Sequence, residues 1–169
     1  MKAVRLHTRG GPEALVYEEA PQPHPQGGEV LVRVHAAAVT PTELLWGPTW
    51  KTRTGEDRPF PIILGHEFSG VIAGLGAGVT DWAAGDPVYG LNDWFGDGAQ
   101  AEYCVAPAAS LAPKPRALEH VQAAVVPISP ECEAPRPMML RCVQDRSETP
   151  GVRWHRTEPL CTKGAPMLM

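Results

Sequence analysis

The chain has 169 residues, of which 43% are hydrophobic and 20% charged, and its formal net charge is −4. This size and composition are typical of one globular domain with or without a tail. The negative charge argues against nucleic acid or an anionic membrane as a partner, because each of these binds a basic surface. No run approaches the roughly 20 apolar residues of a membrane helix, and the first residues lack the apolar segment of a signal peptide, so we expect a cytoplasmic protein.

The first forty residues predict strands and turns. The segments KAVRLH and ALVYEE flank TRGGPE, whose glycines and proline indicate a turn. The segment EVLVRVHAAAV alternates, with Val30, Val32 and Val34 on one face, which is typical of a half-buried strand. Thr40 stands three residues before Glu43, and this spacing predicts a short helix with a capping box.

The middle of the chain predicts further strands and one helix. PIILGHEFSGVIAGLG reads as two strands with a bend at Gly65, and DPVYGL and GAQAEYCVAP follow as shorter strands. LEHVQAAVV predicts a helix, with Leu118, Val121 and Val125 sharing a face. The glycines of GLGAGV do not complete a dinucleotide fingerprint, and the proline at position 87 argues against a following helix. They predict a turn between strands.

Polar and aromatic side chains suggest where chemistry could occur. His66 and Glu67 are neighbours that point to opposite faces of a strand unless Gly65 bends the chain. They are either part of a metal site or a histidine bonded to backbone at a strand end; a catalytic zinc needs three protein ligands. Loop tryptophans often line pockets, and the segment GLNDWFGDGAQ, with Asn92 and Trp94, is the best candidate for a pocket wall. Cys104 lies in an apolar strand, where an inert thiol is expected.

The motifs together carry a family resemblance. LGHEFSGVIAGLGAGV, GDPVYG, GAQAEYCVAP, LAPKP and HVQAAVVPIS occur in that order. This order resembles the N-terminal, GroES-like catalytic domain of the medium-chain dehydrogenase/reductase superfamily. The resemblance covers about residues 1–129 and implies a mainly β fold with short helices, arranged as a partly open β-barrel. The Rossmann domain that follows in the family is expected to be absent here.

The resemblance also indicates a branch of the superfamily. Thr40 stands where zinc-dependent members have a cysteine ligand, Glu43 stands where they have an aspartate, and His66 matches their histidine ligand. The third ligand would fall near Ile128. Because two of three ligands are missing, the chain resembles the zinc-independent, quinone-oxidoreductase-like branch, and we expect no metal.

For that branch the resemblance implies hydride transfer from NADPH to a small electrophile, such as a quinone, an enone or an aldehyde. Its polar site would consist of Thr40, Glu43, His66 and Glu67, with Thr40 also near the cofactor. Trp46, Asn92 and Trp94 would line the substrate pocket. Two alternatives stay open: an inactive remnant domain, and a binding module like the co-chaperonins that share this fold.

Residues 130–169 depart from the family pattern. They contain six prolines and no sustained hydrophobic period, so they predict a disordered tail. The abrupt change suggests a shifted reading frame or a truncated gene. Loss of the Rossmann half would leave apolar surface exposed, which predicts low stability, self-association or a homodimer.

Overall fold

The computed structural model describes residues 1–40 and 42–128. Three 3₁₀ turns, at Pro12–Ala14, Glu43–Leu45 and Ala108–Ser110, interrupt the strands. The two helices are single turns, α1 (Gly47–Trp50) and α2 (His120–Ala123). The eight strands are β1 (Lys2–Leu6), β2 (Leu15–Glu19), β3 (Glu29–Ala37), β4 (Ile62–Ile63), β5 (Glu67–Leu75), β6 (Pro87–Leu91), β7 (Tyr103–Pro107) and β8 (Leu111–Pro113).

The strands form two antiparallel sheets, neither of which closes on itself. The smaller sheet has the order β2-β1-β4 and the larger one the order β7-β3-β5-β6-β8. An isolated bridge between Ala3 and Ala101 joins the smaller sheet to the strand β7 region. The predicted mainly β, partly open architecture is confirmed, and residues 1–40 and 42–128 contain no Rossmann domain.

The main core lies on one face of the larger sheet. Val30, Val32, Phe68, Ile72 and Val88 are buried there, as the alternation of apolar residues predicts for β3. Each such side chain contributes roughly 1.5–3 kcal/mol to folding through loss of contact with water. The core therefore holds β3, β5 and β6 together, and these strands carry or flank the candidate site residues.

The glycine-rich segment after β5 is a turn, as predicted. Gly76 follows the last residue of this strand, and a Cβ built there would lie 1.8 Å from the carbonyl oxygen of Gln26. Only glycine permits this close approach of two backbone segments. The next regular element is strand β6 rather than a helix.

The helix predicted over residues 118–126 is wrong in its extent and its buried face. Only His120–Ala123 is helical, and Val121 and Val125 are 71% and 58% exposed. Ala123 and Ala124 are the buried residues of this segment, because their small side chains let the helix approach β3 and β5 closely. A capping box holds the first turn: the N–H of Glu119 donates to Gln122 Oε1 at 2.9 Å.

Two further expectations concern membranes and the tail. No helix within residues 1–40 and 42–128 is long and apolar enough to cross a membrane. The tail predicted over residues 130–169 and the domain boundary at residue 129 lie outside the described residues.

Candidate active site

Glu43 and His66 form a buried pair at the start of β5. The 3₁₀ turn Glu43–Leu45 directs the Glu43 side chain inward, where the residue is 3% exposed. Its carboxylate accepts the N–H of Gly65 at 3.0 Å, and its Oε1 lies 2.6 Å from His66 Nδ1. Gly65 has a φ of +86°, which turns its N–H toward the carboxylate and is a conformation that favours glycine. The predicted bend at this glycine thus builds the site.

This pairing defines the tautomer of His66. A carboxylate only accepts hydrogen bonds, so Nδ1 carries a proton and donates it to Glu43. The other ring nitrogen, Nε2, is buried and has no hydrogen-bond partner among the described residues. Trp94 stacks on the imidazole with ring centroids 4.7 Å apart and an interplanar angle of 18°, and Trp46 meets Trp94 edge-on at 5.3 Å. His66 is therefore a fixed imidazole whose free nitrogen lies in an aromatic surrounding.

Glu67 has a different set of partners from His66. Thr40 Oγ1 donates to Glu67 Oε2 at 3.3 Å, and the N–H of Ile128 donates to Glu67 Oε1 at 2.8 Å. Burial raises the pKa of Glu67, and the negative charge of Glu43 adds to this, while the two hydrogen bonds oppose it. Because Thr40 bonds Glu67 and Glu43 bonds His66, the capping box predicted between Thr40 and Glu43 is wrong.

The predicted pocket residues do not all line the same space. Asn92 and Trp94 line a cavity of about 370 Å³, together with the core residue Tyr89. Asn92 is 4% exposed; its Nδ2 donates to the carbonyl oxygen of Asp97 at 3.3 Å, and its Oδ1 has no partner among the described residues. Trp46 contacts Trp94 from outside that cavity wall. The structure therefore groups six of the seven predicted residues as a carboxylate–imidazole pair, a threonine–carboxylate pair and a pair of tryptophans, and Asn92 lines the cavity beside Trp94.

Arg58 is a residue near the site that sequence reasoning missed. Its side chain is 7% exposed, it donates to Asp97 Oδ1 at 3.0 Å, and it also reaches the carbonyl oxygen of Thr49. Burial lowers the pKa of Arg58, and the charges of Asp97 and Glu43 oppose that shift. The segment KTRTGEDRPF reads as a polar loop, and only the pairing with an aspartate 39 residues away makes one of its arginines a buried residue.

Two kinds of binding site were sought among residues 1–40 and 42–128: a cluster of metal ligands and a glycine-rich turn for a dinucleotide. These residues contain no group of three or more histidine, cysteine, aspartate or glutamate side chains that could hold a metal ion. A dinucleotide pyrophosphate needs a glycine-rich turn at the N-terminus of a helix. The turn after β5 leads into a strand instead, so residues 1–40 and 42–128 do not fit that part of the cofactor.

The open β architecture with a Gly-His-Glu bend fits the GroES-like fold that the sequence motifs predict, and comparison with known proteins agrees. The family described as the alcohol dehydrogenase GroES-like domain matches residues 26–116. The chain belongs to this family, within the medium-chain dehydrogenase/reductase superfamily.

Individual relatives include both quinone oxidoreductases and alcohol dehydrogenases. The chain is 34% identical to the dehydrogenase azaJ of Aspergillus niger, over 71% of this chain and 36% of the relative. It is 30% identical to the mitochondrial NAD(P)H oxidoreductase RTN4IP1 of Dictyostelium discoideum, over 76% and 38%. A quinone oxidoreductase structure from Coxiella burnetii superposes with a TM-score of 0.68 at 28% identity, over 76% and 41%. The chain thus spans less than half the length of these relatives.

Proposed function

We propose that this chain carries the acceptor-binding part of a zinc-free, NADPH-dependent oxidoreductase whose substrate is a quinone or an enone. The observation that carries the proposal is the Glu43–His66 pair, with the Nε2 nitrogen of His66 unpartnered beside Trp94. Relatives named as quinone oxidoreductases support this substrate class, and relatives named as alcohol dehydrogenases support an alcohol or aldehyde as the second candidate. The absence of zinc rests on Thr40 standing in the position of a cysteine ligand.

His66 has the geometry to polarise a carbonyl oxygen. With Nδ1 held by Glu43, a proton on Nε2 would be donated to the oxygen of the acceptor, where negative charge grows during reduction. Glu43 stabilises the imidazolium that this requires, because the two groups are 2.6 Å apart. Nε2 is buried in this arrangement, so side chains around it must move to admit a planar acceptor, and the Trp94 ring would then stack on that acceptor.

Only one residue, Thr40, is proposed to contact the cofactor. NADPH would supply a hydride when bound, and the family resemblance implies that Thr40 lies near it. The Thr40 hydroxyl donates its proton to Glu67, so its oxygen could still accept a hydrogen bond from an added group. The described residues contain no glycine-rich turn at the N-terminus of a helix that could hold the pyrophosphate. We therefore do not propose that they bind the whole cofactor.

The test is a ligand titration that isolates carbonyl recognition. Tetramethyl-1,4-benzoquinone, which is substituted at every ring carbon and does not add to thiols, is compared with 1,2,4,5-tetramethylbenzene by tryptophan fluorescence. One hydrogen bond to the quinone oxygen predicts about tenfold tighter binding of the quinone. His66→Asn keeps a donor at the Nδ1 position for Glu43 but removes Nε2, so it should abolish the preference.

Two variants complete the test. Trp94→Ala should weaken binding of both ligands, while Trp82→Phe should not, because Trp82 packs against the core and donates to Ala108. A quinone preference that survives in His66→Asn would refute the proposed role of His66.

Self-association is also proposed, as a second copy covering apolar surface. Several of the exposed large apolar side chains lie on segments that carry candidate site residues or bond to them, namely Val39, Leu45, Val121, Val125 and Ile128. Monomeric proteins seldom expose large apolar patches, and a second copy could cover these side chains. Sedimentation velocity should show a concentration-dependent dimer, and a purely monomeric profile at high concentration would reject this part of the proposal.

A further inference from the structure

The segment from residue 114 to residue 128, here called the connector, is fastened to β5 at two points. His120 Nδ1 lies 2.7 Å from Ser69 Oγ, and the N–H of Ile128 donates to Glu67 Oε1 at 2.8 Å. Glu67 and Ser69 are two residues apart on the same strand, so both side chains point to the same face. The connector therefore lies along β5 and holds one of the candidate site carboxylates.

The hydrogen bonds of Ser69 define the state of His120. Ser69 Oγ donates its only proton to the carbonyl oxygen of Val88 at 2.9 Å. It can therefore only accept from the imidazole, and Nδ1 of His120 must be the donor. The proton that His120 gains or loses with pH is consequently the one on Nε2, on the side of the ring away from Ser69.

The charged groups around His120 disfavour that second proton. His35, on β3, stacks on it with ring centroids 4.4 Å apart and an interplanar angle of 24°. Lys114, at the start of the connector, donates to the carbonyl oxygens of Pro115 and Leu118 and brings a positive charge to this region. Burial lowers the pKa of His120; His35 and Lys114 lower it further, and the acidic Glu119 opposes them.

We propose that His120, stacked on His35 and bonded to Ser69, is a pH-dependent latch, which holds the connector on β5 at neutral pH and loosens it when His120 gains its second proton. Loosening would release Ile128 from Glu67, and so change the position of a carboxylate in the candidate site. The latch itself does not depend on the proposed reaction. It depends only on the contacts among β3, β5 and the connector.

The direction of the pH effect follows from linkage. A base whose pKa is lower in the folded than in the unfolded protein stabilises the fold above its ordinary pKa, about 6.5 for histidine, and that contribution is lost as the pH falls below it. Glu67 has a raised pKa, so its own effect on stability has the opposite sign. Protonation of Glu67 would nevertheless weaken its bond to Ile128, and the experiment must separate the two groups.

Amide hydrogen exchange, measured by NMR on the full 169-residue chain, tests the latch. Protection of the Ile128 amide, and of the Ala124 amide that donates to His120, is compared at pH about 7.5 and about 5.5, on either side of the ordinary histidine pKa. After correction for intrinsic exchange, both should lose protection at the lower pH, which is the direction that the lowered pKa of His120 requires. The Ile72 amide, in the core of β5, should not change and serves as the reference for global folding.

Three variants assign the effect. His120→Asn places an amide donor where Nδ1 was and cannot titrate, so protection should stay constant with pH. His35→Asn should reduce the loss of amide protection at low pH. In Glu67→Gln the Ala124 amide should still lose protection at low pH. His7→Asn is the control, because His7 pairs with Glu18 on β2 and should behave as the unchanged protein. A loss of protection that persists in His120→Asn, or no loss in the unchanged chain, would overturn the latch.

Discussion

Replacing Glu43 with alanine should cause the largest loss of stability among substitutions at the candidate site. Glu43 is 3% exposed, and its carboxylate accepts the N–H of Gly65 and the Nδ1–H of His66. Alanine would leave both donors buried without an acceptor. It would also remove the negative charge that faces the buried Arg58.

The magnitude follows from these two donors. A buried hydrogen-bonding group left without a partner costs about 1–3 kcal/mol, and Glu43→Ala leaves two such donors. We therefore expect Glu43→Ala to lower the free energy of unfolding by about 4 kcal/mol. Glu43→Gln keeps one acceptor oxygen but turns its amide N–H₂ toward the other donor, so it should cost about 2 kcal/mol.

Urea unfolding followed by far-UV circular dichroism measures both variants. With a slope of about 1.5 kcal/mol per molar, the midpoint should fall by about 2–3 M for alanine and by about 1 M for glutamine. The glutamine variant keeps the experiment informative if the alanine variant does not fold. Glu56→Ala, at an exposed position, is the control and should change stability by less than about 0.5 kcal/mol. A Glu43→Ala midpoint equal to that of the control would refute the reasoning.

Three further predictions test other parts of the structure. Gly98→Ala should destabilise the chain by more than about 2 kcal/mol, because its Cβ would lie 2.1 Å from a backbone carbonyl oxygen, whereas Gly47→Ala meets no atom within 4 Å; thermal unfolding of the two variants should show this order. Arg58→Ala should cost about 3 kcal/mol because its side chain is 7% exposed, while Arg53→Ala, with a side chain 71% exposed, should cost less than about 1 kcal/mol in urea unfolding. Burial raises the pKa of the Cys104 thiol, so iodoacetamide should label this residue only in denaturant. Labelling of Cys104 in the folded protein as fast as that of an exposed thiol would contradict its burial.

The hydrophobic pattern of the sequence predicted most of the strands, because side chains on a half-buried strand alternate between core and solvent. Alternation in residues 29–39 gave the buried face of β3, and Gly-Pro and Gly-rich segments marked the turns. The helix at residues 118–126 failed because its larger apolar residues face solvent, while Ala123 and Ala124 make the tight contacts. Close packing favours small side chains there, and a search for large apolar residues at helical spacing does not register them.

The candidate site was predicted as a set of residues but not as a network. The family resemblance identified Glu43 and His66, yet their pairing depends on the left-handed backbone at Gly65, which local propensity does not specify. Thr40 bonds Glu67 instead of capping a helix, because a carboxylate 27 residues away in sequence lies within reach. Arg58 was missed for the same reason, since its partner Asp97 approaches only in the folded chain.

Calorimetric titration of the full chain with tetramethyl-1,4-benzoquinone and, separately, with NADPH tests the central claim most directly. His66 and Trp94 are proposed to recognise the acceptor, and the described residues contain no glycine-rich turn that could hold the pyrophosphate. The quinone should therefore give saturable heat, and NADPH should give none up to millimolar concentration. Micromolar binding of NADPH, or no binding of the quinone, would contradict it.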